Sequence, residues 1–172
     1  MSLKKLLQGA WLGHPLHPAM VHLPTGLWPS ALVFDLVSRF GDGSNAAVVA
    51  ALGCIVIGLG AALAAVPTGL ADWVEIKPEK PARTLGWWHM GLNIAVAALM
   101  TISLILRLRD GLDTVRVSMA ALLLALLANA ILMVSGYLGG RMVYEHGISV
   151  ARESKKKWRK IAQEGHARLP AQ

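Results

Sequence analysis

Four long apolar segments, separated by short polar stretches, dominate the hydrophobic pattern of the chain. They run from Pro18 to Phe40, Ala46 to Ala71, Leu85 to Leu106 and Val115 to Met142. A helix rises about 1.5 Å per residue, so roughly 20 residues cross a hydrocarbon core of about 30 Å, and each segment is long enough. The runs are continuous rather than alternating, which favours helices over strands. The pattern predicts an all-α integral membrane protein, a four-helix bundle with up-down-up-down topology.

The composition supports a membrane protein with no cysteine-based redox centre. Of the 172 residues, 55% are hydrophobic and 16% charged, and the mean hydropathy is +0.51, well above that of ordinary soluble domains. The start of the chain, "MSLKKLLQGAWLG", lacks the apolar core and cleavage site of a signal peptide, so we expect it to be retained. Cys54 is the single cysteine, which excludes an internal disulfide, a c-type haem attachment and a cysteine-ligated cluster within one chain.

The basic residues predict an orientation in the membrane. With four crossings, the N-terminus, the loop after the second span and the C-terminal tail share one side, here called the His side. It carries thirteen of the seventeen Lys and Arg residues; the other side has Arg39, Arg107, Arg109 and Arg116. Positively charged loops resist translocation, so we expect both termini in the cytoplasm.

Orientation also accounts for the basic excess, and no nucleic-acid-binding motif accompanies it. We therefore expect no nucleic-acid partner. The chain divides into a transmembrane domain, residues 1–150, and a basic cytoplasmic tail, residues 151–172.

Two histidines lie inside the predicted spans at matching depth. His22 and His89 are each about one turn in from the His side, on the first and third spans, which are diagonal partners in such a bundle. Ionisable groups within a span usually face a partner, a cofactor or a cavity. A facing histidine pair can ligate haem b without covalent attachment. The sequence therefore predicts a haem iron held by His22 and His89, and hence an electron-transfer protein.

Small and polar residues near this pair are assigned supporting roles. Gly26 and Gly86 are expected to leave room for a planar group beside the histidines. Asn93 is expected to orient an imidazole, and Arg141 or Arg83 to hold a haem propionate.

Other uses of the polar residues stay open. A zinc, copper or iron ion could be bound directly by residues near the His side, although their spacing matches no specific metal motif. These alternative ligands are His14, His17, His146, Asp72 and Glu145. A second haem on His17 and His146 is a weaker alternative.

A third interpretation is a structural subunit that forms a homo-oligomer or joins a larger complex through glycine-lined faces. Those faces include Gly53, Gly58 and Gly60. No nucleophile arrangement typical of a hydrolase is present. Whether the chain is an enzyme, as a membrane oxidoreductase component, therefore stays open.

Three polar or small features away from the histidine pair have ordinary structural explanations. Asp35 is expected to pair with Arg39, one turn further along the same helix. Asn129 is expected to hydrogen-bond between helices, and Gly136 with Gly140 to allow close helix packing.

Four motifs together resemble an uncharacterised bacterial family of four-span membrane proteins, a domain of unknown function. They are "HPLHPAMVHLPTGLW", "TGLADW", "WWHMGLN" and "SGYLGGRMVYEHG", and the resemblance extends from His14 to about Val150. Some members are fused to Rieske or c-type cytochrome domains. The resemblance implies a bacterial inner-membrane protein with a place in membrane electron transfer. We expect no fused redox domain here, so the electron donor and acceptor should be separate molecules, and our hypothesis is a quinone and a partner redox protein.

The motif positions of that family fall on most of the residues already singled out. In the first span they are His14, Pro15, His17, Pro18, His22 and Pro24. In the later blocks they are Asp72, His89, Asn93, Gly136, Gly139, Gly140, Tyr144, His146 and Gly147.

Overall fold

The computed structural model describes residues 1–148 and 164–165. Its helices are α1 (Leu3–Leu7), α2 (Leu16–Met20), α3 (His22–Phe40), α4 (Asn45–Trp73), α5 (Pro81–Asp110) and α6 (Met119–Tyr144). Four segments are long and apolar enough to cross a membrane, the first combining α2 and α3. The predicted all-α fold with four spans is confirmed. The tail from residue 151, with Trp158 and His166, lies outside the described residues apart from 164–165.

The first span is interrupted near its start rather than being one helix from Pro18. Helix α2 ends at Met20 and α3 begins at His22, with Val21 between them. Pro24 has no N–H, so the carbonyl of Met20 loses its helical partner there. Pro18 lies in the first turn of α2, where a missing N–H costs nothing. The consequence for the site is that His17 lies inside a short helix rather than in front of one.

The four long helices form two antiparallel hairpins. Helices α3 and α4 pack along each other, as do α5 and α6, whereas contacts of α3 with α6 and of α4 with α5 are sparser. Helices α3 and α5 are therefore diagonal partners, as the sequence predicted. An interhelical hydrogen bond from Asn129 Nδ2 to the carbonyl of Trp28 joins α6 to α3 at 3.3 Å, which is the role predicted for Asn129.

Each helix presents small and polar residues inward and large apolar residues outward. The buried residues of α3 are Pro24, Trp28, Ala31, Asp35 and Ser38. Those of α5 are Ala82, Gly86, Val96, Met100, Ser103 and Arg107. The α3 positions follow alternating steps of four and three residues, and those of α5 do so once the half-buried His89 and Asn93 are included, which is the spacing of left-handed helix packing. Such an inside-out pattern suits a bundle whose outer surface meets lipid tails.

A buried ion pair joins the diagonal helices at the end of the bundle opposite the His side. Arg107 Nη1 and Nη2 donate to the two carboxylate oxygens of Asp35 at 2.7 and 2.5 Å, and Arg107 Nε donates to Ser103 Oγ at 3.3 Å. The predicted Asp35–Arg39 pair is therefore wrong, because the carboxylate is directed into the bundle. Arg107 was assigned to a loop; it is a buried residue of α5.

Candidate functional site

His89 on α5 is held against α6 by its Nδ1 atom. Nδ1 lies 2.9 Å from the carbonyl oxygen of Ser135 and 3.1 Å from Ser135 Oγ. The ring rests on Gly139, where a Cβ atom would come within 3.0 Å of His89 Cε1. A carbonyl only accepts, so the proton of the neutral imidazole is on Nδ1 and the lone pair is on Nε2.

Asn93, one turn further along α5, supports the same tautomer. Its Nδ2 donates to His89 Nε2 at 3.2 Å, to the carbonyl of His89 at 2.8 Å and to Ser135 Oγ at 2.7 Å. An amide N–H that approaches Nε2 requires a lone pair there. The contact to Nε2 is the longest of the three, so a ligand that takes Nε2 leaves Asn93 with two closer partners. Asn93 therefore contacts His89 as a donor to Nε2, whereas the carbonyl of Ser135 accepts the imidazole N–H.

His17 on α2 is held against α4 in the same way. Its Nδ1 lies 3.1 Å from the carbonyl oxygen of Ala65 and 3.2 Å from Thr68 Oγ1. The ring covers Gly69, where a Cβ atom would come within 2.7 Å of His17 Cε1. Because the Ala65 carbonyl only accepts, His17 also carries its proton on Nδ1 and its lone pair on Nε2.

The imidazoles of His17 and His89 are both half-buried and lie at the same end of the bundle. His17 belongs to the hairpin of α3 and α4, and His89 to the hairpin of α5 and α6. Each is fixed by a backbone carbonyl of its own hairpin. In both rings Nδ1–H is oriented by a carbonyl and Nε2 carries the lone pair, an arrangement that is also common for metal-bound histidine.

Comparison with known proteins places the chain among membrane proteins of unknown function. A family model described as "Predicted membrane protein (DUF2231)" matches residues 13–152. The chain belongs to the DUF2231 family. The DUF2231 match covers five of the six histidines, all except His166. No curated protein and no solved structure matches the chain.

His22, the predicted partner of His89, is exposed rather than facing the bundle interior. Its Nδ1 lies 3.3 Å from the carbonyl oxygen of Ala19, on its own segment. His17 and His22 are five residues apart, which turns them by about 140° around a helix axis. The segment that directs His17 toward α4 therefore directs His22 away from the core. The expectation that His22 faces His89 across the bundle is therefore wrong, and the half-buried histidine of the first span is His17.

The two glycines predicted to leave room behave differently from that expectation. Gly26 has open space at its Cβ position, because it lies on the same outward face as His22. Gly86 is covered by the indole of Trp73, whose Cδ1 would lie 2.5 Å from an added Cβ. Gly136 also opens outward, and it is Gly139 that accommodates an imidazole. The glycines beneath the two rings are therefore Gly69 and Gly139.

The arginines predicted to hold propionates have partners of their own. Arg141 Nε donates to both carboxylate oxygens of Glu145 at 2.9 Å, and this hydrogen bonding holds the pKa of Glu145 below its usual value. Arg83 lies 3.4 Å above the centroid of the Trp73 ring and donates to the carbonyls of Trp73 and Ile76. Arg141 is at the surface, where its ion pair can exchange partners. Arg83 is more firmly placed.

The alternative metal ligands do not form one cluster. Within residues 1–148 and 164–165, no group of three His, Cys, Asp or Glu side chains is placed to hold a metal ion. His14 and Asp72 line a surface groove of about 470 Å³ that also includes Glu75, while Glu145 pairs with Arg141. Neither His17 nor His89 lines that groove, so the groove is separate from the histidine pair.

A signal in the sequence could have identified His17. Counting back from Pro24 along the buried stripe of α3, in steps of three and four, reaches Val21 and then His17. On α5, the same steps from Gly86 pass through His89 and Asn93 to Val96. Depth in the membrane alone favoured His22, whereas depth combined with the helical phase selects His17.

Proposed function

We propose that this DUF2231 protein is a membrane b-type cytochrome that transfers electrons, with His17 and His89 as the axial ligands of one haem. The observation that carries the proposal is the matched tautomer of the two imidazoles. Each donates Nδ1–H to a backbone carbonyl of a neighbouring helix, which leaves Nε2 to coordinate. One such histidine is common; two at the same end of a bundle, one on each hairpin, form a ligand pair.

In the part of the chain that the structure describes, no third His, Cys, Asp or Glu joins the two histidines to hold an ion, and such a pair suits haem better than a chelated ion. Structural zinc sites take four protein ligands and catalytic ones three, whereas a porphyrin supplies four equatorial nitrogens and needs only the two axial imidazoles. Contacts between the two hairpins are also sparser than those within each hairpin, so a planar group would enter between them with the least repacking. Bound there, the haem would supply a one-electron couple.

The residues around the imidazoles hold them in place for this role. The carbonyls of Ala65 and Ser135 fix the ring orientation and raise the basicity of the ligating nitrogen. Glycine at positions 69 and 139 lets each ring lie flat against the adjacent helix backbone. Asn93 holds Nε2 of His89 until a ligand replaces that contact. This is a preorganised pair of donors rather than two mobile side chains.

The orientation proposed with this function puts the haem near the cytoplasmic face of a bacterial inner membrane. The His side carries the basic residues, and the burial of Arg107 leaves only Arg39, Arg109 and Arg116 as basic residues for the opposite side. Positive loops remain cytoplasmic. A soluble redox partner would then approach the His side.

A hemin titration of the purified protein tests this proposal. We expect saturation at one hemin per chain, with the spectrum of a six-coordinate low-spin iron. Zinc added in the same buffer should bind no more tightly than to a His17→Ala/His89→Ala variant. Saturable zinc binding without hemin binding would contradict the proposal, as would a five-coordinate hemin spectrum.

A further inference from the structure

The outward face of α3 carries an unusual row of small and polar residues. His22, Thr25, Gly26, Pro29 and Ser30 follow the spacing i, i+3, i+4, i+7, i+8, so they share one helix face, and all are exposed. Elsewhere the outer surface of this helix consists of large apolar residues. A polar face toward hydrocarbon is costly and usually has a partner. An added Cβ at residue 26 would meet no atom within 4 Å, so this glycine forms an open notch in the row.

The side chains of this face present hydrogen-bond acceptors. His22 Nδ1 is directed to the carbonyl oxygen of Ala19 at 3.3 Å, which leaves the Nε2 lone pair outward. The hydroxyl of Thr25 uses its proton on the carbonyls of Val21 and His22, at 2.8 and 3.1 Å. Its oxygen lone pairs therefore also face outward as acceptors.

The backbone of the same face adds another acceptor. Pro29 has no N–H, so the carbonyl of Thr25, four residues earlier, has no helical i+4 partner. Ser30 Oγ donates to the carbonyl of Gly26 at 2.9 Å, so its proton is also used within the helix. The face as a whole accepts hydrogen bonds and offers few donors. Its complement is a lipid-soluble molecule with hydroxyl groups.

We propose that this face binds a membrane hydroquinone, with its hydroxyl donating to His22 Nε2, and that this hydroquinone is the electron donor of the protein. The inference rests on the proposed haem function. His22 lies five residues from His17, a rise of about 7.5 Å along the helix axis. A donor bound here is therefore next to the ligand pair but enters from the lipid phase.

The chemistry balances with groups already named. Oxidation of one hydroquinone breaks its two O–H bonds and releases two protons and two electrons. The proton of the bound hydroxyl passes to His22 Nε2, and the second is released to interfacial water. The two electrons would leave one at a time to a one-electron oxidant, which the proposed haem held by His17 and His89 would supply when bound and which a soluble redox partner would reoxidise between the two transfers.

The acceptor character of the face distinguishes the hydroquinone from other occupants. A second copy of the chain, packed through the same face, would oppose acceptors to acceptors. A phospholipid phosphate also offers only acceptor oxygens. An oxidised quinone has two carbonyl acceptors, so it should bind more weakly than its reduced form.

A binding measurement tests the inference independently of electron transfer. A short-chain benzohydroquinone is equilibrated anaerobically with purified protein, and bound probe is counted after separation. We expect His22→Leu and Gly26→Leu each to weaken binding at least tenfold, while His14→Leu, which replaces another exposed histidine, leaves it unchanged. Both leucines point into open space, so we expect unaltered helix content and an unaltered hemin spectrum.

The outcomes separate this inference from the haem proposal. Saturable hydroquinone binding that His17→Ala retains supports the inference even if no hemin binds. Hemin binding with hydroquinone affinity unchanged in His22→Leu and Gly26→Leu overturns the inference and leaves the haem proposal intact. Tighter binding of the oxidised quinone, or a change of oligomeric mass in Gly26→Leu without any loss of probe binding, would also overturn it.

Discussion

Removal of one partner of the Asp35–Arg107 ion pair should strongly destabilise the bundle. Both side chains are almost fully buried, with Asp35 0% and Arg107 3% exposed, and two hydrogen bonds join them across the diagonal of the bundle. Leaving one buried charge unpaired costs about 3–5 kcal/mol. Arg107 lies three residues before the end of α5, where a long side chain can partly reach water, so the cost should be at the lower end of this range. We therefore expect Asp35→Asn to cost about 3 kcal/mol, close to a hundredfold in the folding equilibrium.

The assay is the free energy of unfolding in mixed detergent micelles, followed by far-ultraviolet circular dichroism. Arg107→Met should lose a similar amount, and the matched control Arg39→Met should change stability by less than about 0.5 kcal/mol. Replacement of both partners, Asp35→Leu with Arg107→Met, should recover most of the loss, because no unpaired charge is then left. A loss in Arg39→Met equal to that in Arg107→Met would refute the cross-bundle pairing. So would a double variant as unstable as the sum of the single ones.

Two further predictions follow from contacts near the His side. Gly69→Ala puts a Cβ within 2.7 Å of the His17 ring, so we expect the free energy of unfolding to fall by about 1–3 kcal/mol and hemin to bind more weakly. The control is Gly60→Ala, whose added methyl meets open space. Equal hemin affinity in the two variants would contradict the ring position. Hydrogen bonds from Lys4 and Gln8 hold the pKa of Glu75 below its usual value. These hydrogen bonds contribute about 0.2–1 kcal/mol to the stability of the folded protein, as is usual for an exposed pair. The contribution is complete above the unfolded-state pKa of about 4.3. This stabilisation is lost as the pH falls through the lowered folded-state pKa of Glu75. Amide resonances of residues 3–8 should therefore shift on acidification in the wild type but not in Glu75→Gln.

Several features of the fold could be predicted from the sequence because they depend on local patterns. The four spans follow from hydrophobic length alone, and the diagonal relation of the first and third spans follows from the short connections. His89 and its neighbour Asn93 were both identified, since a polar residue one turn inside a span is conspicuous.

The remaining features depended on helical phase and on long-range pairing. His22 faces outward because it lies two residues, or about 200° around the helix, from the buried Pro24, and a count of depth alone does not reveal that phase. The partner of Asp35 could not be found locally, because Arg39 is a plausible i, i+4 partner and Arg107 lies 72 residues away in the chain. The glycines under the imidazoles, Gly69 and Gly139, follow from the three-dimensional packing of neighbouring helices.

The reduced-minus-oxidised optical spectrum of hemin-reconstituted protein tests the central claim most directly. We expect a sharp Soret band and split visible bands of bis-histidine haem in the wild type and in His22→Ala. His17→Ala and His89→Ala should each lose the six-coordinate low-spin signature. Loss of that signature in His22→Ala with retention in His17→Ala would rule out His17 and His89 as the ligand pair.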